Sequence, residues 1–572
     1  MSARIWVLLV AASLSAGAAC EATEAPAQAR SDPSGAVDSF VGAWNEQDPT
    51  TLYQSLDEAS QRKWGITKIR TLFESNLAAG RITDTEIAVD PPSAEAGETE
   101  IQTPYTVTYV SKAAGEPVEL SGDLALIYVE EEDRWAVSFD DDVLWPGYER
   151  IAGFVSLEDW PARASIVDRD GAKLATGGSN RTYPQGSVAG TTVGHLEPGT
   201  GDRLVGASGL EEAFEDTLAG SPDRRFALVH VARCKAGRRC ARPGYEVLGR
   251  IDGTKGEKVK VTLDVDIQRA AENAYGGTTG GAVVLQPSTG DILAIVSSSP
   301  FDPNNYVGVP GIEPFNRALS GLYPPGSSMK VMTASAALDT GTVKPDTQLT
   351  GPAEYQGVRN FESGDFGTLD FATAVKYSVN TAFAQVALDL GAKRLTDYAE
   401  RFGFNRQPSM ALYAATPSFP FPEDTGDLMW GSIGQAQTLA TPLQMASVAA
   451  TVANGGQRME PRIDLGEEPR GERVTKPSTA STMTELMRNV VTGGTGVAAN
   501  VTGLEVAGKT GTAEVDVNGE RKNHAWFICF APASDPKVAI AVVSEYGGVG
   551  GQVAAPLARA ILQAVYPLLP PK

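Results

Sequence analysis

The 572-residue chain has little of what many enzymes rely on. Its three histidines, His195, His230 and His524, lie far apart, and none has the close His or Cys company of a common zinc motif. No metal or cofactor is expected from the sequence. With four cysteines, Cys20, Cys234, Cys240 and Cys529, a disulfide-stapled scaffold is excluded. Basic residues are in the minority, 48 Lys and Arg against 70 Asp and Glu. The formal charge of −22 argues against nucleic acid as a partner, because phosphate neutralisation needs a basic surface. Beyond the N-terminal stretch no apolar run reaches the roughly 20 residues needed to span a bilayer. No internal repeat of 20–50 residues is present. The apolar content of 42% is ordinary, so the chain can bury real cores.

What is present begins with an export signal. Arg4 precedes the short apolar stretch 5–19, and Cys20 follows. Three outcomes are open. Cys20 can be lipidated, since Gly17-Ala18-Ala19-Cys20 is similar to a bacterial lipobox, although Gly17 stands where Leu or Val is usual. Ala16-Gly17-Ala18 can be a cleavage site. Or the helix stays as an anchor. Each places residues 21–572 outside the cytoplasm. In that oxidising setting Cys234 and Cys240, flanking a turn-like basic loop, are expected as a hairpin disulfide, with free surface thiols as the alternative. Cys529 reads as a buried strand residue.

Residues 21–33 read as a polar tether. Val37, Phe40, Val41 and Trp44 have helical spacing, and a second helical region carries Ile66, Ile69, Leu72 and Phe73. Strands follow at 101–110, 124–129 and 135–139, the last after the acidic turn Glu130–Asp133. This predicts an α+β domain over 34–147. Asp140-Asp141-Asp142 reads as a solvated strand end, because one acidic run supplies too few ligands for a hard cation. A β-rich domain is expected over 148–258, with a strand at 226–231 that ends near His230 and carries no evident chemistry. Residues 259–572 hold a helix over 267–275 capped by Asp266, hairpins at 282–296 and 526–543, an Ala-rich helix after Ser327, and a final helix with Leu557, Ile561 and Leu562. An antiparallel sheet flanked by helices follows.

Three motifs carry chemistry. Ser327-Ser328-Met329-Lys330 follows Tyr323-Pro324-Pro325-Gly326. If the prolines end a loop, Ser327 opens a helix, and Lys330 on the same face reaches its hydroxyl. A helix N-terminus favours developing negative charge, and an unprotonated lysine can serve as the base that activates the serine. Holding a lysine neutral near pH 7 costs about 4 kcal/mol. Desolvation and a second nearby cation can meet that cost, so a second lysine is expected. The spacing alone is weak, with roughly two chance matches expected in a chain this long; Ser60-Gln61-Arg62-Lys63 is one such match. The second motif is Ser378-Val379-Asn380. The third is Lys509-Thr510-Gly511-Thr512, a strand able to bind a carboxylate, with the Thr512 and Ser327 N–H groups forming an oxyanion hole.

Together, in this order, the motifs resemble those of the penicillin-binding protein family, specifically the monofunctional class B D,D-transpeptidases. Gly434-Gln435, Thr441–Ala446, Gly493–Gly496 and Ala507–Ala513 are similar to the family's flanking signatures. Residues 148–258 resemble its non-catalytic dimerisation or pedestal region, through Gly209–Phe214 for instance. Residues 34–147 resemble the cone-shaped, nuclear-transport-factor-like domain of the methicillin-resistance subgroup. The resemblance implies a multidomain α+β protein with a β-lactamase-like serine transpeptidase fold over 259–572. It implies that Ser327 is acylated by peptidoglycan stem peptides ending in D-Ala-D-Ala, and by β-lactams. Lys330 would take the serine proton, Ser378 relay protons to the leaving group, Asn380 hold the peptide amide, Lys509 support the electrostatics, and Thr510, Gly511 and Thr512 bind the terminal carboxylate. It further implies a location at the outer face of the bacterial plasma membrane, held by anchor or lipid, with divisome or elongasome proteins as partners.

Val379 stands where class A β-lactamases carry Asp. Glu485 and Asn489 have the spacing of their deacylating pair, but in a helical stretch just before the third motif, where it reads as coincidence. A slowly deacylating acyl-enzyme is therefore expected. The alternatives are a β-lactamase, a D,D-carboxypeptidase, and a β-lactam-binding sensor or assembly scaffold. A Ser–His–Asp triad through His524 is disfavoured with Lys330 in place.

Overall fold

The computed structural model describes residues 30–178, 180–200, 203–231, 243–312 and 314–569. Cys20, Cys234 and Cys240 lie outside them, so the lipidation and disulfide expectations concern undescribed residues. No helix among the described residues is long and apolar enough to cross a membrane. The chain divides into two compact units, one of residues 1–159 and 222–252, the other of 160–221 and 253–572.

In the first unit, helices Ser34–Asn45, Pro49–Ser55 and Glu58–Ala79 precede a four-stranded antiparallel sheet of Ile82–Val89, Glu100–Ser111, Val118–Val129 and Arg134–Ser138. The expected helical face is there: Val37, Phe40 and Trp44 are buried, and Trp44 meets Phe73 edge-on at 4.8 Å. Asp57 caps the third helix through Ser60 N. The strand Glu100–Ser111 alternates buried and exposed residues, as a half-buried strand must. The Ser60/Lys63 match is inert: Ser60 Oγ donates to Asp57, and Lys63 pairs with Asp140.

The segment 148–258, expected as one domain, is divided. Ile151–Asp159 pairs antiparallel with Asp223–His230, which pairs with Tyr245–Ile251, and this three-stranded sheet belongs to the first unit. Phe154 and Phe226 stack at 5.0 Å and join the Tyr109 core, so packing across the ladder overrides chain order. His230 ends its strand.

Residues 160–221 belong to the second unit and are organised around Glu211, which is fully buried. Arg181 Nε and Arg163 Nε donate to its two carboxylate oxygens at 2.6 and 2.8 Å, and Arg163 also reaches Glu215 at 2.6 Å. Breaking a buried pair of this kind is costly because a bare charge is left behind.

The rest of the second unit is built on a five-stranded antiparallel sheet. Its order is Ile292–Ser297, Gly280–Leu285, Val538–Ser544, Glu520–Ala531 and Ala507–Val517. Both faces are covered, which explains why these strands read as continuous apolar runs. Val284, Phe527, Cys529 and Val542 point into one core, with helices Val265–Tyr275 and Ala554–Val565. Val283, Trp526, Ile528 and Ala541 point into the other, with the buried helix Pro442–Ala453 and the helices that follow Ser327. The cap of Val265–Tyr275 is Asp264, whose carboxylate accepts from Asp266 N and Ile267 N. Asp266 was expected in that role and instead lies in the first turn. Burial pushes the Cys529 thiol far above its usual range, so it is an inert core residue.

Candidate active site

Ser327 sits on a tight turn. Gly326 has φ +52, a backbone region that a bulkier residue enters only with strain. Its N–H donates to Gly434 O at 2.9 Å, and Gly434 itself has φ +75 and no room for a Cβ, which would fall 2.2 Å from Gly326 O. Trp526 Nε1 donates to Pro324 O at 2.9 Å, and Ser328 Oγ donates to Pro325 O at 2.6 Å. The helix does not open at Ser327. Gly326–Met329 form a 3-10 turn, and the α-helix begins at Lys330 and runs to Asp339. The prolines and the left-handed Gly326 tighten that first turn.

Lys330 is 1% exposed. Its Nζ donates to Asn380 Oδ1 at 2.5 Å, Ser378 O at 2.8 Å and Ser378 Oγ at 3.2 Å, and lies 5.1 Å from the centre of the Phe383 ring. The direct bond to Ser327 expected from helical spacing is not among them: among the described residues the Ser327 hydroxyl has no hydrogen-bond partner. The fork formed by Ser378 and Asn380 accepts the lysine's protons instead.

Ser378 lies between helices Phe371–Lys376 and Asn380–Leu390 with φ +58, a conformation rare for a serine and characteristic of strained functional positions. Asn380 is fixed from the other side, its Nδ2 donating to Arg359 O at 2.7 Å.

The third motif lies on Ala507–Val517, the edge strand of the sheet. Lys509 is fully buried and its Nζ donates to Ser378 Oγ at 2.8 Å and Thr510 O at 3.0 Å. Two lysines therefore converge on one hydroxyl. Burial, then the charge of Lys509, holds Lys330 well below a lysine's ordinary range. Burial pushes Lys509 down to about 7. Thr510 Oγ1 shares a proton with Thr495 Oγ1 at 2.7 Å. Thr512 Oγ1 accepts from Gly550 N at 3.1 Å, which leaves its own proton free to donate.

Gly511 is the contact between strand and turn. A Cβ there would meet Pro325 O at 2.7 Å, Trp526 Cβ at 2.9 Å and Ser328 N at 3.1 Å. Gly511→Ala is expected to displace Ser327 and slow its acylation by benzylpenicillin at least about 10²-fold. A stopped-flow rate equal to wild type would show that the strand retreats without moving the serine.

Ser327, Lys330, Ser378, Asn380, Lys509, Thr510, Gly511 and Thr512 are thus gathered from three separate stretches. His524 is elsewhere in purpose. It is buried between Tyr323 and Tyr546, and its Nδ1 accepts from Tyr546 N at 3.2 Å. Glu485 and Asn489 lie on the exposed side of helix Pro477–Gly493, whose Leu486, Met487 and Val490 are buried. Sequence reasoning missed Gly550 and Phe383 as parts of the site, and had Thr495 only within a flanking signature, without a role. Thr495 lies in the Gly-rich Gly493–Gly496 stretch, and Phe383 is one helical turn beyond Asn380, so both had a signal.

A serine on a helix-opening turn, a buried lysine beside it, and a hydroxyl shared with a second lysine define a serine enzyme that works through an acyl intermediate. Comparison with known proteins makes that specific. Residues 280–563 match the penicillin-binding protein transpeptidase domain, and 32–150 match an NTF2-like N-terminal transpeptidase domain. A peptidoglycan D,D-transpeptidase of Mycolicibacterium smegmatis, PbpA, is 36% identical over 434 residues, covering 67% of this chain and 84% of its own length. The structure of penicillin-binding protein A of Mycobacterium tuberculosis as a penicillin G acyl-enzyme superposes with TM-score 0.58 at 30% identity, over 71% of this chain and all of that one. Pseudomonas aeruginosa PBP2 superposes with TM-score 0.61 at 30% identity, over 71% of this chain and 96% of that one. The chain belongs to the class B penicillin-binding proteins, with an NTF2-like domain ahead of the transpeptidase domain.

Proposed function

We propose that this protein cross-links peptidoglycan as a D,D-transpeptidase through an acyl-enzyme on Ser327. The observation that carries the reading is the meeting of Lys330 and Lys509 on Ser378 Oγ, beside Ser327. A neutral Lys330 removes the Ser327 proton as Oγ attacks the carbonyl between the two terminal D-Ala residues. The N–H groups of Ser327 and Thr512 hold the oxyanion. The leaving D-Ala nitrogen takes a proton through Ser378. Asn380 orients the peptide amide, and Thr510 and Thr512 hold the terminal carboxylate at Gly511, on an edge strand an extended peptide can join. An amine from a second stem peptide then resolves the ester. β-Lactams enter by the same attack and stay, because Glu485 and Asn489, which have the spacing of a deacylating pair, lie on the exposed side of their helix rather than in the site.

The N-terminal stretch would hold the enzyme at the outer face of the plasma membrane, by lipid on Cys20 or as an uncleaved anchor, where divisome or elongasome proteins are its partners.

The test supplies glycan polymer carrying D-Ala-D-Ala stems and reads the peptide products by mass. Cross-linked dimers, lost with benzylpenicillin, are expected. Stems that lose D-Ala without dimers would make it a carboxypeptidase. Penicillin acylation with untouched stems would make it a sensor or scaffold.

A further inference from the structure

His524 takes no part in the bond-making steps, yet it is tied to the loop that touches Thr512. Residues 545–551 follow the strand Val538–Ser544 and lie against the two strands that carry His524 and Thr512. Three backbone N–H groups fix their path. Tyr546 N donates to His524 Nδ1 at 3.2 Å, Gly548 N to Asn523 O at 3.0 Å, and Gly550 N to Thr512 Oγ1 at 3.1 Å. Gly547, Gly548, Gly550 and Gly551 give this stretch little stiffness of its own, so its bonds set its course. The approach is close: a Cβ on Gly550 would fall 2.1 Å from Gly511 O.

Tyr546 is the strained point of the loop. Its φ is +53, rare for a residue other than glycine, and its ring, 51% exposed, leans on the His524 ring with centres 4.8 Å apart. To accept from Tyr546 N, His524 Nδ1 must carry no proton. The imidazole is therefore neutral, with its proton on Nε2. A second proton would go to Nδ1 and set one N–H against another. Tyr323 meets the imidazole edge-on at 5.2 Å. The carboxylate beside it is that of Glu545, already engaged by Arg317 Nε at 2.9 Å and by the Tyr323 hydroxyl. Lys522 lies 5.8 Å from the centre of the Tyr546 ring. Burial holds the imidazole below its ordinary range, and Glu545 opposes that shift.

We propose that His524 is a positioning residue for carboxylate recognition: while neutral it holds the loop from Tyr546 to Gly550, so that Gly550 N occupies a lone pair of Thr512 Oγ1 and the Thr512 proton is left for the donor's carboxylate. Once protonated it releases Tyr546, the loop relaxes from its strained path, and Thr512 loses the bond that orients it. This rests on the transpeptidase reading and adds a pH-set control to the step that reads the terminal carboxylate. The sign is distinctive. Lys509 gains its proton as pH falls through about 7, which by itself strengthens the hold on an anion. His524 acts in the opposite direction.

The full-length protein is given two thioester donors, an N-acyl-D-alanyl mercaptoacetate and its methyl ester, which share the reacting carbonyl and differ in the carboxylate. Thiol release gives kcat/KM for each, and the ratio of the two is read between about pH 5 and about pH 8, across the range of a histidine. Titration of Lys330 and any loss of active protein cancel in that ratio. Wild type is expected to favour the carboxylate donor about tenfold at the upper end and less than about threefold at the lower, the scale of one hydrogen bond to a charged group. His524→Asn keeps an acceptor on Cγ at every pH and should hold the preference into acid. His524→Ala should lose most of it at both ends. A wild-type ratio that stays level or rises in acid, an alanine variant with the wild-type preference, or an asparagine variant that titrates like wild type overturns the proposal. Failure of both donors to release thiol would instead strike the transpeptidase reading itself, and the positioning role with it.

Discussion

Replacing Ser327 by alanine is expected to abolish covalent capture of benzylpenicillin and to reduce turnover of a D-Ala-D-Ala donor by about 10⁶-fold, the scale on which loss of a serine nucleophile is felt. Intact-protein mass after brief incubation is the measurement. Wild type should carry one stable adduct, and the variant none. The change should leave the fold standing. The Ser327 hydroxyl has no hydrogen-bond partner among the described residues, and the turn is held by Gly326, Ser328 and Trp526 through other atoms. A stable adduct on Ser327→Ala would move the nucleophile elsewhere. Hydrolysed penicillin without any wild-type adduct would make the protein a β-lactamase.

The second large effect concerns Lys330. Lys330→Met keeps the side chain's bulk and removes its base, and acylation is expected to slow by roughly 10²–10⁴-fold, the range for a general base. The pH profile gives the sign. The working form of Lys330 is neutral, and burial together with Lys509 holds its proton affinity far down. Wild-type acylation should therefore persist at neutral pH and fall in acid, where Lys330 takes up a proton. Lys509→Met removes the neighbouring cation, so Lys330 becomes easier to protonate and the acid limb should move to higher pH. An unmoved limb would show that burial alone sets the base. The two lysines share Ser378, so the limbs report the pair.

The same buried lysines bear on stability. Lys509 titrates near 7 when folded and near a lysine's ordinary value of 10.5 when unfolded. Below about pH 7 both states carry the proton and the full penalty of the buried charge is present; between about 7 and 10.5 only the unfolded chain is protonated. The penalty is relieved as pH rises from about 7 toward 10.5. Denaturant titrations across that window should show Lys509→Met with a weaker gain than wild type.

Much of the second unit could be read from residues alone. Its hairpins are there because apolar strands flank Pro287-Ser288-Thr289-Gly290, and doubly covered strands need unbroken apolar runs. The divided segment 148–258 could not be read that way. Strand 151–159 and strand 223–230 are some seventy residues apart, and nothing local records which sheet a strand joins. The hub at Glu211 was equally silent, since a buried carboxylate looks in sequence like any other acid.

The sequence by itself determined the chemical inventory of this protein: one serine with a lysine three residues on, a Ser-x-Asn, and a Lys-Thr-Gly-Thr strand, in an order rarely met by chance. It also called for a second lysine, because neutralising the first is costly. Tertiary structure alone decided which atoms meet. Helical spacing brings Lys330 alongside Ser327, but hydrogen bonding is settled by geometry across the chain. Ser378, in its left-handed conformation, and Asn380, fifty residues away from Lys330, hold the Lys330 amine, and the edge strand, a further 130 residues on, brings Lys509 to the same hydroxyl. Spacing is a property of one helix. Convergence of buried charges is a property of the folded core, where losing water makes every such contact decisive.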